Sequence, residues 1–94
     1  MKIYQSRSFE KKVKKFNENE KYELDNEIEQ IIQNPLIGTE KKGDLKGVFV
    51  HKFNLQNQLY LLSYRFIKGE SLDLIMIGPH ENYYRDLKNY LKRQ

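Results

Sequence analysis

An apolar run near the end of the chain stops at a glycine–proline pair, and this feature constrains the fold most. Leu74–Ile77 is followed by Gly78-Pro79 and then by His80, one of two histidines in the chain. Proline has no N–H to donate, so a strand cannot continue its ladder of hydrogen bonds through it. We therefore predict a strand over about 71–77 and a C-terminal helix over about 81–92, with His80 at the corner between them.

Before this run, apolar residues recur at strand or helix spacing. Lys2–Gln5 alternates weakly and predicts a short first strand. Two helices follow as an antiparallel hairpin, and the second ends at Asn34 because the residue before Pro35 avoids helical backbone. The candidate N-caps are Ser6 or Ser8 for the first helix and Asn17 or Asn19 for the second. The buried stripes are Phe9, Val13 and Phe16, then Leu24, Ile28, Ile31 and Ile32.

The second half of the chain predicts a three-stranded antiparallel meander. Residues 36–46 form a loop, and strands follow at about 48–55, 58–67 and 71–77, separated by short turns. The middle strand is apolar on both faces, as expected of a central strand. The last helix is predicted to bury Tyr84, Leu87 and Leu91. Together these elements predict a single α+β domain over residues 1–94, with a core centred on Leu24, Ile28, Ile31, Leu62, Tyr64 and Leu87.

Composition narrows the chemistry that the chain can carry. It has no cysteine, so it has no disulfide, thiol nucleophile or thiolate metal site, which suits the cytoplasm. No apolar run approaches the roughly 20 residues that a membrane span needs, and the N-terminus lacks a signal-peptide pattern. Two histidines without clustered acidic residues at ligand spacing provide no metal site. We therefore expect a cytoplasmic protein with no metal, no cofactor and no membrane partner.

The positive charge is concentrated in the second half of the chain. The net charge is +4; residues 1–35 carry seven basic and seven acidic residues, whereas residues 36–94 carry ten and six. This asymmetry favours an anionic partner for the second half, either a nucleic acid or an acidic protein. The alternative is a solvated surface that happens to be basic.

Three segments resemble one protein family. The run Gly78–Lys88, together with the apolar residues before it, resembles the C-terminal end of RelE/ParE-type toxins of bacterial toxin–antitoxin modules. Gly43–Phe53 and Tyr60–Phe66 agree with that family, and the order of the predicted elements fits the whole chain. The resemblance implies a RelE/ParE-like fold and the role of a type II toxin that is neutralised by a cognate antitoxin.

The resemblance also implies an activity, namely metal-independent cleavage of mRNA on the ribosome. Such cleavage needs groups that transfer protons and cations that stabilise the charge developing at phosphorus. His80 and Tyr84 are four residues apart, so a helix that began near His80 would place both on one face. The candidate catalytic residues are His80, Tyr84 and Arg65, and the candidate RNA contacts are Lys52, Lys46, Arg85 and Lys88.

Some positions depart from the family pattern and keep alternatives open. Val50, Leu61 and Met76 stand where many nuclease members carry a basic residue. Two further activities therefore remain: poisoning of DNA gyrase in the manner of ParE, which needs no acid–base pair, or binding of the antitoxin alone. Arg65 has an alternative role as an ion-pair partner of Asp73 or Glu70.

The other histidine is assigned a structural role. On a regular strand, His51 shares a face with Phe49 and Phe53, while Lys52 points to the opposite face. A histidine among aromatic side chains is more often packed and hydrogen-bonded than catalytic. We therefore predict that His51 contributes to stability.

Overall fold

The computed structural model describes residues 1–93, and its elements confirm the predicted α+β class. A strand and two helices come first, three longer strands form the meander, and a helix ends the chain. The bounds are β1 Lys2–Gln5, α1 Arg7–Lys14, α2 Glu18–Gln33, β2 Thr39–Glu40, β3 Phe49–Leu55, β4 Gln58–Ile67, β5 Ser71–Pro79 and α3 Tyr83–Lys92. A single 3-10 turn, Gly43–Leu45, precedes β3.

The five strands form one sheet in the order β1-β5-β4-β3-β2. β1 pairs with β5 in parallel, and every other pair is antiparallel. The helical hairpin α1–α2 covers one face and α3 covers the other, which separates two clusters of buried side chains. Leu61 and Leu62 are consecutive on β4, and both are 0% exposed. The prediction that the central strand is apolar on both faces is therefore confirmed.

The two N-terminal helices begin at side-chain caps. Ser6 accepts a hydrogen bond from the backbone N–H of Phe9 at 3.0 Å and caps α1. Asn17 and Glu20 form a reciprocal capping box at the start of α2, at 2.8 and 2.9 Å. Each cap satisfies backbone donors that a helix leaves unpaired in its first turn. Between the two alternatives predicted for each helix, the structure selects Ser6 and Asn17.

The buried residues agree with most of the predicted core, with two corrections. Three residues of the predicted helical stripes, Val13, Ile28 and Ile32, are only partly buried at the edge of the cluster under the helical hairpin, whereas Ile31 is 0% exposed. In α3 the fully buried residues are Tyr83 and Leu87, while Tyr84 and Leu91 lie at the edge of their cluster. The prediction had placed Tyr84 inside, but α3 begins later than expected, and the first helical residue covers the sheet.

A two-residue strand, β2, lies in the segment predicted as a loop. It pairs with Val50 and Phe49 at the edge of the sheet. The hydroxyl of Tyr64 holds the preceding chain by donating to the carbonyl oxygen of Pro35 at 2.8 Å and accepting from the N–H of Gly38 at 3.1 Å. A Cβ at Gly38 would lie 2.8 Å from that hydroxyl, so only glycine allows this approach. Local sequence patterns do not reveal such a long-range contact.

β5 extends to Pro79, two residues beyond the predicted end. Gly78 stands opposite Leu61 and Pro79 opposite Tyr60. Proline is accommodated because it is the last residue of the strand, where a missing donor does not interrupt a ladder. The next residue restores the pairing, since the N–H of His80 donates to the carbonyl oxygen of Leu59 at 3.1 Å.

The partial burial of Ile28 gives a matched test of the hydrophobic core. We expect Ile31→Ala to lower the free energy of unfolding by about 2–5 kcal/mol, because it leaves a cavity under the helical hairpin. Ile28→Ala makes the same chemical change at a partly exposed position, so its loss is expected to be smaller. Chemical denaturation of both variants measures the difference. Equal losses would contradict the burial described for α2.

Candidate functional site

The first helical residue of α3, Tyr83, fastens that helix to the sheet. Its hydroxyl donates to the carbonyl oxygen of Met76 at 2.6 Å and lies 2.9 Å from Oγ of Ser63. The side chain is 2% exposed, and burial raises the pKa of the phenol well above its usual range. Tyr83 therefore stays protonated and holds α3 in place, and it is not available for proton transfer.

A bulge in β5 creates the acceptor that Tyr83 uses. Ser63 stands opposite Met76, but the next residue, Tyr64, stands opposite Leu74. Ile75 is therefore an extra residue on β5, which locally bends the strand. Ile75 and Met76 both pack in the cluster under α3, although they are adjacent in sequence.

Tyr84 lies on the accessible side of α3, next to a lysine. Its ring meets that of Tyr83 edge-on at 5.8 Å, and Nζ of Lys41 lies 5.0 Å from its centroid, a cation–π contact. The half-buried phenol is thus adjacent to an ammonium group. Sequence reasoning missed Lys41, because it lies in the segment after β2 and no local pattern pairs it with a helix 43 residues later.

His80 is exposed at the corner between β5 and α3, as predicted. Its carbonyl oxygen accepts a hydrogen bond from the N–H of Tyr83 at 3.3 Å. Asn82 adopts the left-handed conformation with φ of 58°, so the helix begins only at Tyr83. The predicted helix start at about residue 81 is therefore wrong by two residues. His80 and Tyr84 do not share a helical face, because the chain between them is a turn.

Arg65 lies at the other end of the sheet from His80. It pairs with Asp73, whereas Tyr60 pairs with Pro79, the residue before His80. Five residues along β4 correspond to about 16 Å at about 3.3 Å per residue. The structure does not bring Arg65 to the His80 corner, although sequence reasoning had grouped them as catalytic. It places Arg65 beside Asp44, Leu45, Lys88, Leu91 and Lys92 in a shallow depression at the C-terminal end of α3.

Arg65 also forms no ion pair with Asp73 or Glu70 in the described part of the chain, which was its alternative predicted role. Asp73 stands directly across the sheet from Arg65. Over residues 1–93, the ion pairs are His51 with Glu27 and Arg85 with Asp86. The guanidinium of Arg65 is therefore available to an anionic partner.

The remaining predicted RNA contacts lie on α3, in the loop before β3 or on the face of the sheet that α3 partly covers. Lys52 is exposed on the same face of the sheet as Leu61 and Gly78, which lie in register with it. Lys46 lies next to Lys41 in a second depression. Arg85 is exposed and forms an ion pair with Asp86 at 3.4 Å. We call the cations around α3 the basic face; they are Lys41, Lys42, Lys46, Lys52, Arg65, Lys88 and Lys92.

His51 is packed and hydrogen-bonded, as predicted, while its contribution to stability stays a prediction. The residue is 8% exposed, and its Nε2 lies 2.8 Å from a carboxylate oxygen of Glu27 on α2. Its ring stacks on Phe53 with the centroids 5.7 Å apart. His51 therefore links β3 to α2 on the face of the sheet opposite to the basic face.

Two properties of residues 1–93 bear on metal binding and on membrane insertion. No group of three histidine or acidic side chains comes together at a distance that would hold a metal ion. No helix in this part of the chain is both long and apolar enough to cross a membrane.

The fold is that of small toxin domains found in bacterial toxin–antitoxin modules. Residues 3–88 match the family described as ParE-like toxin of type II bacterial toxin-antitoxin system, and the chain belongs to this family. The protein is the toxin of a type II toxin–antitoxin system, with a RelE-like fold. A comparison with curated protein sequences finds no match.

Solved structures show the same fold. The free mutant form of the Escherichia coli toxin RelE has a TM-score of 0.71 and 18% identity, over 98% of this chain and 95% of that one. The intact E. coli RelBE toxin–antitoxin complex gives 0.67 and 18%, over 85% and 96%. The isolated E. coli RelE toxin gives 0.64 and 18%, over 94% and 96%.

The neighbouring tyrosines of α3 are expected to respond differently to removal of the hydroxyl. Tyr83→Phe removes a buried donor, so the free energy of unfolding should fall by about 1 kcal/mol or more. Tyr84→Phe should change it by less than about 0.5 kcal/mol, as is usual near the surface. Denaturant unfolding of the two variants makes the comparison, and a larger loss for Tyr84→Phe would contradict the assigned roles.

The raised pKa of Tyr83 also predicts loss of stability in alkali. An unfolded tyrosine ionises near pH 10, whereas Tyr83 keeps its proton in the folded state. The unfolded state therefore binds fewer protons above pH 10, and the free energy of unfolding falls as pH rises. In the Tyr83→Phe variant, the free energy of unfolding should fall less steeply with pH between about pH 9 and pH 11. An unchanged slope would contradict the buried position of the phenol.

Proposed function

We propose that this toxin cleaves mRNA on the ribosome without a metal ion. The observation that supports this most is the contact between Tyr84 and Lys41 within the basic face. A phenol that transfers protons and an ammonium that binds phosphate are two of the components that such cleavage needs. Lys52, exposed on the same face of the sheet, provides a second cation for the phosphate.

The proposed reaction is transfer of a phosphodiester from one ribose oxygen to another. The 2′-oxygen loses its proton and bonds to phosphorus, and the bond to the 5′-oxygen of the next nucleotide breaks as that oxygen gains a proton. The products are a 2′,3′-cyclic phosphate and a 5′-hydroxyl end. We assign proton transfer to Tyr84 and His80, and charge stabilisation to Lys41 and Lys52.

Arg65 has a binding role in this proposal. With Lys88, it lies at the C-terminal end of α3, away from the His80 corner. We propose that the two residues hold the RNA backbone away from the scissile bond, while Lys46 and Arg85 add cations at the border of the basic face. Such contacts position the strand without reading its sequence.

The open arrangement of the acid–base groups supports dependence on the ribosome. His80 and Tyr84 are separated by a turn, and His80 is exposed. The protein alone therefore does not enclose an RNA segment or force it into an in-line geometry. The ribosome holds its mRNA in a fixed path, and such positioning can supply a large part of a catalytic barrier. A cytoplasmic location follows from this proposal, since the target is the translating ribosome.

A cognate antitoxin completes the proposal. The E. coli toxin of the same fold is found in an intact complex with its antitoxin. The basic face and the net charge of +4 favour an acidic partner segment, because opposite charge speeds and stabilises association. We propose that the antitoxin neutralises this protein through direct binding.

One observation favours a second activity, the poisoning of DNA gyrase. The roughly 16 Å between Arg65 and the His80 corner leaves no compact group of acid, base and guanidinium. A gyrase poison acts by binding and needs no such group. A protein that binds its antitoxin alone would also tolerate this separation.

The test compares catalytic and structural variants. We expect His80→Ala and Tyr84→Phe each to slow cleavage of mRNA on translating ribosomes by about 10²–10⁴-fold without lowering the melting temperature. His51→Ala is the control, since it breaks a partly buried hydrogen bond with Glu27 and should lower the free energy of unfolding by about 1–3 kcal/mol. Its cleavage rate per folded molecule should stay close to that of the wild type.

The measurement is mapping of mRNA 5′ ends together with thermal melting. Position-specific cuts by the wild type support the proposal, and normal cutting by His80→Ala and Tyr84→Phe would remove those residues from the mechanism. Wild-type protein that leaves mRNA intact but traps gyrase on DNA would establish the second activity. The absence of both activities, with tight antitoxin binding, would leave antitoxin binding as the function.

A further inference from the structure

Three side chains stand in a row at the end of the sheet that α3 leaves uncovered. Tyr4 of β1 is in register with Asp73 of β5, which is in turn opposite Arg65 of β4. Leu72 and Leu74, on either side of Asp73, pack under the helical hairpin. Because side chains alternate along a strand, Asp73 and its two partners point to the α3 face. We call Tyr4, Asp73 and Arg65 the sheet-end row.

Tyr4 presents an aromatic face to solvent at one end of this row. Its side chain is 53% exposed. Within residues 1–93, its ring meets no other aromatic ring. It borders a shallow depression whose other residues are Lys2, Gly69, Glu70 and Ser71. An exposed aromatic side chain on a sheet is a surface on which a nucleobase can stack, because every base has a flat π-face.

Cations lie at the opposite end of the row. Arg65 borders the depression at the C-terminal end of α3, beside Asp44, Lys88 and Lys92, and this end belongs to the basic face. Asp73 does not hold the guanidinium, since it forms no ion pair in the described chain and its Oδ1 has no hydrogen-bond partner there. The carboxylate of Asp73 instead repels phosphate, so a nucleotide on the row would keep its phosphate at the Arg65 end.

The length of the row suits a nucleotide of a single strand. Neighbouring strands lie about 4.8 Å apart, so the Cα atoms of Tyr4 and Arg65, two strands apart, are separated by about 10 Å. An aromatic platform beside a line of cations is the combination by which proteins bind single-stranded nucleic acid without sequence preference. An RNA duplex would present phosphates to Arg65, but its bases are stacked inside and offer no face to Tyr4.

We infer that the sheet-end row binds one nucleotide of single-stranded RNA away from the scissile bond, with the base stacked on Tyr4 and the phosphate at Arg65. This inference rests on the proposed function, in which Arg65 and Lys88 hold the RNA backbone. It adds a binding residue, Tyr4, on a strand that takes no part in the proposed proton transfer. Stacking accepts every base, so the row adds affinity without selecting a nucleotide.

The first test compares two exposed tyrosines. The probe is a labelled single-stranded RNA whose ribose 2′-oxygens are methylated, so that it cannot be cleaved. We expect Tyr4→Ala to weaken its binding at least about fivefold, whereas Tyr4→Phe keeps the ring and should stay within about twofold. Tyr22→Ala is the matched control, since Tyr22 is 70% exposed on α2, and it should also stay within about twofold.

A duplex of the same sequence separates stacking from a general loss of binding. Tyr4→Ala should bind the duplex as the wild type does, and melting curves should show that each variant is folded. Unchanged affinity of Tyr4→Ala for the single strand would overturn the inference. So would an equal loss for the duplex, or a loss in Tyr4→Phe as large as that in Tyr4→Ala, because stacking requires only the ring.

Ultraviolet cross-linking of the wild type provides a measurement that needs no variant. An RNA that carries iodouridine should form a cross-link to Tyr4, located by mass spectrometry of the digested protein, and the absence of a cross-link at Tyr4 would overturn the inference. Mapping of mRNA 5′ ends tests the proposed function separately. Wild-type protein that cross-links at Tyr4 but leaves mRNA intact on ribosomes would contradict the proposed cleavage and not the site.

Discussion

Burial of β4 on both of its faces is the constraint on which the rest of the structure depends. Leu61 and Leu62 point to opposite faces, and neither is accessible to solvent. A strand of this kind needs a cover on each side. The helical hairpin α1–α2 supplies one, and α3 supplies the other. Since α3 has only ten residues, it covers part of its face and leaves a border of exposed cations around it.

A short helix on a sheet requires an anchor, and Tyr83 provides it. Its hydroxyl reaches the carbonyl oxygen that the bulge in β5 presents, so the bulge, the tyrosine and the helix depend on one another. Tyr84 is held on the accessible side because its neighbour is fixed. The position of the proposed catalytic phenol is thus determined by a buried residue that takes no part in the reaction.

The sequence predicted the features that depend on local chemistry. Helical stripes, N-caps and the alternation of His51 and Lys52 were all visible in short windows, because capping and periodicity are properties of neighbouring residues. It did not reveal β2, whose position depends on the hydroxyl of Tyr64 and the bare backbone of Gly38. It also placed the start of α3 two residues early, since the left-handed backbone of Asn82 has no simple signal in the sequence.

The candidate site was likewise predicted where it depends on neighbouring residues and missed where it depends on distant ones. The exposed corner at His80 followed from the Gly78–Pro79 break, but the contact between Lys41 and Tyr84 joins two distant parts of the chain. Grouping Arg65 with His80 was an error of register. A residue of β4 is close to a residue of β5 only if the two stand opposite each other in the sheet. Arg65 stands opposite Asp73, far from His80. The C-terminal motif indicated the family without indicating how its side chains are arranged in space.

The arrangement around β5 fixes the positions of both proposed proton-transfer groups. The bulge in the middle of this strand presents the carbonyl oxygen that holds Tyr83, the neighbour of Tyr84, and the last residue of the strand precedes His80. A substitution that removed the bulge would therefore shift the support of both groups, although neither group lies on the strand itself.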